Sequence, residues 1–84
     1  MRNKDILKKK IVYRSKHRGT KEMDLLLGNF VNKYIDSFSE IELEELMSLL
    51  NIDDEILYKW YLNQDTKTSV PLGNVSKKLK KFKF

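Results

Sequence analysis

Few residues in this chain can do chemistry, and their spacing bounds what they can do. There is one histidine, His17, and no cysteine, so a thiolate ligand, a disulfide and a cysteine nucleophile are all ruled out. No HExxH, GxSxG or GxxxxGK sequence occurs, which removes the common arrangements for zinc hydrolysis, serine acyl transfer and phosphate cradling. The carboxylates show no ligand spacing around His17, which reads as an exposed side chain at a helix end rather than a metal ligand. Neither an enzyme nor a bound metal is expected. The charged residues can instead recognise a surface. They are densest in Arg14-Ser15-Lys16-His17-Arg18-Gly19-Thr20-Lys21-Glu22-Met23-Asp24, a run that reads as a presented recognition loop. A plainer alternative stays open on the residues alone: Gly19 ends one helix, and Glu22 complements the dipole of the next.

The elements that must position this loop are helical. Met23, Leu26, Leu27, Phe30, Val31, Tyr34 and Phe38 recur at helical spacing, which predicts one apolar stripe on a second helix from about Thr20 to Ile35. Thr20 suits its N-cap, and Gly19 suits a left-handed position closing the helix before it. That first helix, about Asp5 to His17, is thinly apolar, with Leu7, Ile11 and Val12 on one side. Ser39 and Glu42 form a capping box with Phe38 and Leu43 as its hydrophobic staple, predicting a third helix over about Glu40 to Leu50. Asp53 is expected to repeat the device for a fourth helix, about Asp54 to Asn63, with Ile56, Leu57, Trp60 and Tyr61 inward and Trp60 a core anchor. Residues Gln64 to Gly73 read as a loop, followed by a short helix capped by Asn74 with Val75, Leu79 and Phe82 on one side. The lysine-rich tail, about 76–84, is expected to fray. Without period-two alternation or repeats, the fold class is all-α, a small five-helix bundle in a single domain spanning 1–84.

Composition limits the setting. Eighty-four residues with 40% hydrophobic side chains leave room for one core held by packing alone. No run is long and apolar enough for a signal h-region or a membrane span, and no presequence precedes the first helical pattern; the expectation is a cytoplasmic, bacterial protein without membrane insertion. Charge is zoned: residues 1–22 carry nine Lys/Arg against two acids, 23–65 two lysines against ten acids, and 66–84 six lysines and no acid. Basic ends raise a second reading, a small basic helical nucleic-acid-binding protein. The second helix argues against a helix-turn-helix, because it offers Glu22, Asp24 and Asp36 where a phosphate-lined groove requires cations.

Arg18-Gly19-x-x-Glu22, followed by Met23-Asp24 and a leucine-rich helix, resembles the RGxxE signature of the FAD assembly factor family, called SdhE in bacteria and succinate dehydrogenase assembly factor 2 in mitochondria. The lead-in Ile11-Val12-Tyr13-Arg14-Ser15, the Phe38-Ser39 start with Glu42, and Asp53-Asp54 with Leu57 and Trp60 extend the likeness over about sixty residues. The lysine-rich ends depart from the family pattern.

This resemblance implies a five-helix assembly factor, not itself a flavin transferase, that docks on the flavoprotein subunit of succinate dehydrogenase or fumarate reductase and promotes covalent attachment of FAD. It implies no stably bound cofactor, the FAD belonging to the client, and no nucleic-acid partner. Carried over by position, Arg18 would pair with client acceptors, Gly19 would let the backbone approach closely, and Glu22 would order the loop or touch the client. Arg14, His17 and Asp24 would be secondary contacts. A planar guanidinium and a side-chain-free turn suit such a role. On this view Arg18→Ala and Glu22→Ala slow flavinylation with little loss of helicity. Because one bundle accounts for the apolar stripes, the free chain is expected to be a monomer.

Overall fold

The computed structural model describes residues 3–64, 70 and 73–83. Among these, five α-helices occur and no strand: α1 Asn3–Lys16, α2 Lys21–Tyr34, α3 Glu40–Leu50, α4 Asp54–Tyr61 and α5 Asn74–Lys81, with a 3-10 turn at Ile35–Ser37. No helix among them is long and apolar enough to cross a membrane.

The stripe on α2 forms the centre of the core. Met23, Leu26, Leu27, Phe30 and Val31 are all buried, and the 3-10 turn swings Ile35 and Phe38 inward behind them. Thr20 caps α2 as expected, its hydroxyl accepting from the Met23 amide at 3.2 Å. The capping box of α3 is also present: Ser39 Oγ accepts from the Glu42 amide at 3.2 Å, and Glu42 Oε1 accepts from the Ser39 amide at 2.9 Å. Phe38 and Leu43, at the staple positions, are both buried in one core with Leu46, Leu49, Leu50, Leu57, Val75 and Leu79.

α1 packs on both α2 and α3 although only Ile11 among its apolar residues is fully buried. Leu7 and Val12 add partial cover. Ser15 completes the contact: its side chain is buried, and its hydroxyl donates to the Val12 carbonyl at 2.8 Å, so a polar residue faces the core without an unpaired group.

Several sequence expectations change. No glycine among the described residues has positive φ, so Gly19 does not close α1 in the left-handed region. α4 ends at Tyr61 because Asn63 takes that conformation instead, at φ 62°. The Asn63 amide bonds to the Trp60 carbonyl at 3.1 Å and the Gln64 amide to the Lys59 carbonyl at 2.8 Å, a Schellman end. Asp53 sits at the N-cap of α4 but makes no capping bond through its side chain. Leu57 is the fully buried residue of α4; Trp60 and Tyr61 pack on the core while partly exposed, and Ile56 lies outside it. Gly73, not Asn74, is the N-cap of α5, and the carboxylate of Glu45 on α3 takes the Val75 and Ser76 amides at 2.7 and 2.9 Å. The tail is anchored rather than frayed over the described residues. Phe82 sets its ring edge against Phe30 and Tyr34, and the Tyr61 hydroxyl donates to the Phe82 carbonyl. Most of the loop expected over Gln64 to Gly73 lies outside the described residues.

Candidate functional site at the first helix turn

Residues His17 to Thr20 join α1 to α2 and bring the charged run to the corner where α3 gives way to α4. Arg18 is turned into the molecule. Its Nε donates to Asp54 Oδ1 at 2.7 Å, and Nη2 lies 2.5 Å from the same oxygen. Nη1 donates to the Leu50 carbonyl at 2.8 Å and the Arg14 carbonyl at 3.2 Å, and Nη2 also reaches the Ile52 carbonyl at 3.3 Å. A guanidinium has five N–H donors; here four hydrogen bonds and the ion pair to Asp54 engage all three of its nitrogens within this chain. The side chain is 9% exposed and that of Asp54 16%. Leu50 ends α3, so Arg18 closes a carbonyl that its helix cannot satisfy, a favourable place for a cation.

The rest of the turn is fixed by carboxylates. The Gly19 amide donates to Asp54 Oδ2 at 2.5 Å, and the Arg18 amide to Asp24 Oδ1 at 2.7 Å. A Cβ at Gly19 would stand 3.2 Å from Asp54 Oδ2, tighter than an ordinary contact. Any side chain at position 19 would make the Asp54 carboxylate yield by a few tenths of an ångström, and handedness makes no demand for glycine here. Arg14 ties the end of α1 to the end of α3 through a 2.6 Å bond from Nη1 to Asn51 Oδ1.

The structure therefore brings Arg14, Arg18, Gly19 and Asp24 into one internal network. His17 and Glu22 stay outside it. Glu22 is exposed, with no hydrogen bond or ion pair among the described residues. His17 is exposed and rests its ring on Tyr13, centroids 4.4 Å apart; Tyr13 itself is 66% exposed. An open groove runs from His17 and Gly19 to Asn51, Ile52, Asp53 and Ile56. Among the described residues, no group of His, Cys, Asp or Glu could hold a metal ion.

Sequence reasoning missed Asp54 and Asn51 as members of this site. Asp54 reads as an acid complementing the dipole of its own helix, and nothing in its spacing points to an arginine 36 positions earlier. The one available hint is Asp53-Asp54 in the segment that carries the family likeness.

A family model described as flavinator of succinate dehydrogenase matches residues 9–83. Three curated relatives carry the name succinate dehydrogenase assembly factor 2, mitochondrial. The one from Arabidopsis thaliana is 39% identical over 56 residues, covering 67% of this chain and 30% of its own. The one from Scheffersomyces stipitis is 37% identical over 67 residues, 80% of this chain and 45% of its own. The one from Saccharomyces cerevisiae is 45% identical over 60 residues, 71% and 36% respectively. The chain thus matches between 30% and 45% of the length of these relatives. No solved structure matches. The expectation of a bacterial cytoplasmic setting is corrected by these relatives, which are named as mitochondrial proteins of eukaryotes. The nucleic-acid reading gains no support from them. The chain belongs to the family of succinate dehydrogenase flavinators.

Proposed function

We propose that this member of the succinate dehydrogenase flavinator family is a non-catalytic assembly factor that binds the flavoprotein subunit of succinate dehydrogenase, or of fumarate reductase, and promotes covalent attachment of FAD. The flavin belongs to the client, whose own groups form the bond; the factor holds the client in a reactive arrangement. The observation that carries this reading is the turn from His17 to Glu22. The Arg18 and Gly19 amides and the Arg18 guanidinium are locked to this chain, while His17, Gly19 and Glu22 remain at the surface. A rigid turn with a bare glycine at the surface loses little entropy on docking and lets another backbone approach. Glu22 then supplies an acceptor for client N–H groups, and His17 with Tyr13 supplies an aromatic surface beside it.

The test is capture of the apo flavoprotein subunit, scored in parallel for covalent FAD by in-gel fluorescence. The unaltered chain should capture it and raise flavin attachment. Gly19→Arg should abolish both while keeping the helical circular dichroism, because position 19 is exposed, its backbone is outside the left-handed region, and the one close neighbour of a Cβ there is a side-chain oxygen, Asp54 Oδ2. An unaltered chain that neither captures the subunit nor raises its flavin content refutes the reading.

A further inference from the structure

We infer that Asp54, at the start of α4, is the positioning residue of the recognition turn, and that Arg18 acts through it rather than by touching the client. The inference rests on the docking role proposed above. Asp54 divides its two oxygens: Oδ1 takes the Arg18 guanidinium and Oδ2 takes the Gly19 amide. One carboxylate thereby fixes both the side chain that leaves the turn inward and the backbone that faces outward. It spends no bond on its own helix among the described residues, although it occupies a first-turn position where a carboxylate ordinarily serves the local amides.

Arg18 cannot serve a partner without giving this up. All three of its nitrogens are engaged within the chain, by four hydrogen bonds and the ion pair to Asp54, and its side chain is nearly covered. A client acceptor would have to displace Asp54 or the carbonyls that end α3. The groups of the turn left for a client are the Gly19 backbone surface and the exposed side chains of His17, Lys21 and Glu22, and the backbone at Gly19 is held from α4, 35 positions away in the sequence.

The chemistry of the pair suggests the variants. Asn at position 54 keeps the shape but has one acceptor oxygen, so it cannot hold both Arg18 and the Gly19 amide. Lys at position 18 keeps the charge but lacks the planar fork. Asp54→Asn, Arg18→Lys and the double variant would be compared for affinity to the apo flavoprotein subunit, alongside exchange of the Gly19 amide followed by NMR. Each single variant should weaken capture by about tenfold, with the double variant no more than about twofold worse than either, because both break one clamp. Protection of the Gly19 amide should fall in Asp54→Asn. Capture lost in Arg18→Lys but retained in Asp54→Asn, or losses that add in the double variant, would assign Arg18 a direct contact and overturn the inference. So would undiminished Gly19 protection in Asp54→Asn. If the unaltered chain captures nothing, the docking role fails and this inference about it falls too, whereas the exchange data still show whether the clamp exists.

Discussion

Arg18→Ala is expected to damage the fold as well as the function, contrary to the expectation from sequence that it would spare helicity. Truncation removes the partner of Asp54 Oδ1 and uncovers the Leu50 and Ile52 carbonyls at the α3–α4 corner. Breaking a fully buried ion pair costs about 3 to 5 kcal/mol. Here the two side chains keep 9% and 16% of their exposure, so the lower end applies, about 3 kcal/mol. A chain of this length has a total stability of about 4 to 12 kcal/mol, so the variant stays mainly folded in the cold but with a thin margin. At about 4 to 8 °C per kcal/mol, its thermal midpoint should fall by roughly 12 to 24 °C. Melting followed by far-ultraviolet circular dichroism measures this directly. Asp54→Ala should cost a similar amount, since it strands the guanidinium, and the double variant should cost clearly less than the sum because no charge is left unpaired. A midpoint within about 3 °C of the unaltered chain for Arg18→Ala would refute the claim that the guanidinium is locked inward. If the fall is as large as expected, loss of flavinylation in Arg18→Ala must be judged at a temperature where the variant is folded.

Two further outcomes follow from contacts away from the turn. Glu45→Ala strips two amides of their charged acceptor at the start of α5 and should cost about 2 kcal/mol, with loss of exchange protection at Val75 and Ser76; a cost below about 0.5 kcal/mol would mean that α5 is capped another way. Tyr61 has its pKa raised from 10.0, first by burial and then by Tyr58. Below the unfolded value its neutral form is present in both states; above it the unfolded chain releases the proton first, so stability falls as pH rises through the raised folded value. Urea midpoints between about pH 9 and pH 11 should decline less in Tyr61→Phe than in the unaltered chain, and equal declines would remove Tyr61 from the account.

The parts of the fold that were legible are those written in local spacing. The stripe from Met23 to Val31 and the Ser39–Glu42 capping box are each contained within one helix and its cap, and both form as read. The recognition turn was legible as a location, because charge and a glycine concentrate there. Its inner wiring was not. Arg18 finds Asp54 36 positions away and Glu45 finds Val75 30 positions away, distances at which no periodicity operates. The same gap explains the error at Gly19: a glycine after a helix suggests left-handed closure, whereas this one lies outside that region and instead stands close to a carboxylate from another helix. Asp53 failed as a capping residue, and its segment carries Ile56 where the Ser39 segment carries Glu42, so no side chain reaches back to complete a box.

The zoning of charge also acquires a physical explanation. A small bundle has many helix ends for its length, and every N-terminal end leaves amides that its own helix cannot satisfy. In this chain the acidic middle segment meets that demand at α5 and also takes amides of the turns that lead into α2 and α3. Asp24 takes the Arg18 amide, Glu42 the Ser39 amide, Asp54 the Gly19 amide, and Glu45 the amides of Val75 and Ser76. Three of the chain's corners are closed by carboxylates drawn from residues 23–65, which accounts for several of the acids there without any appeal to a charged ligand. The basic α1 is in turn fastened to the rest by Lys8 on Asp36 and Arg14 on Asn51, and by Arg18 just beyond its end on Asp54. A thinly apolar first helix, with Ile11 as its fully buried apolar side chain, can therefore hold the turn because polar bonds from α3 and α4 do what packing alone would not. The recognition turn is rigid for the same reason that α1 stays attached, and weakening that attachment at Asp54 should disturb both together.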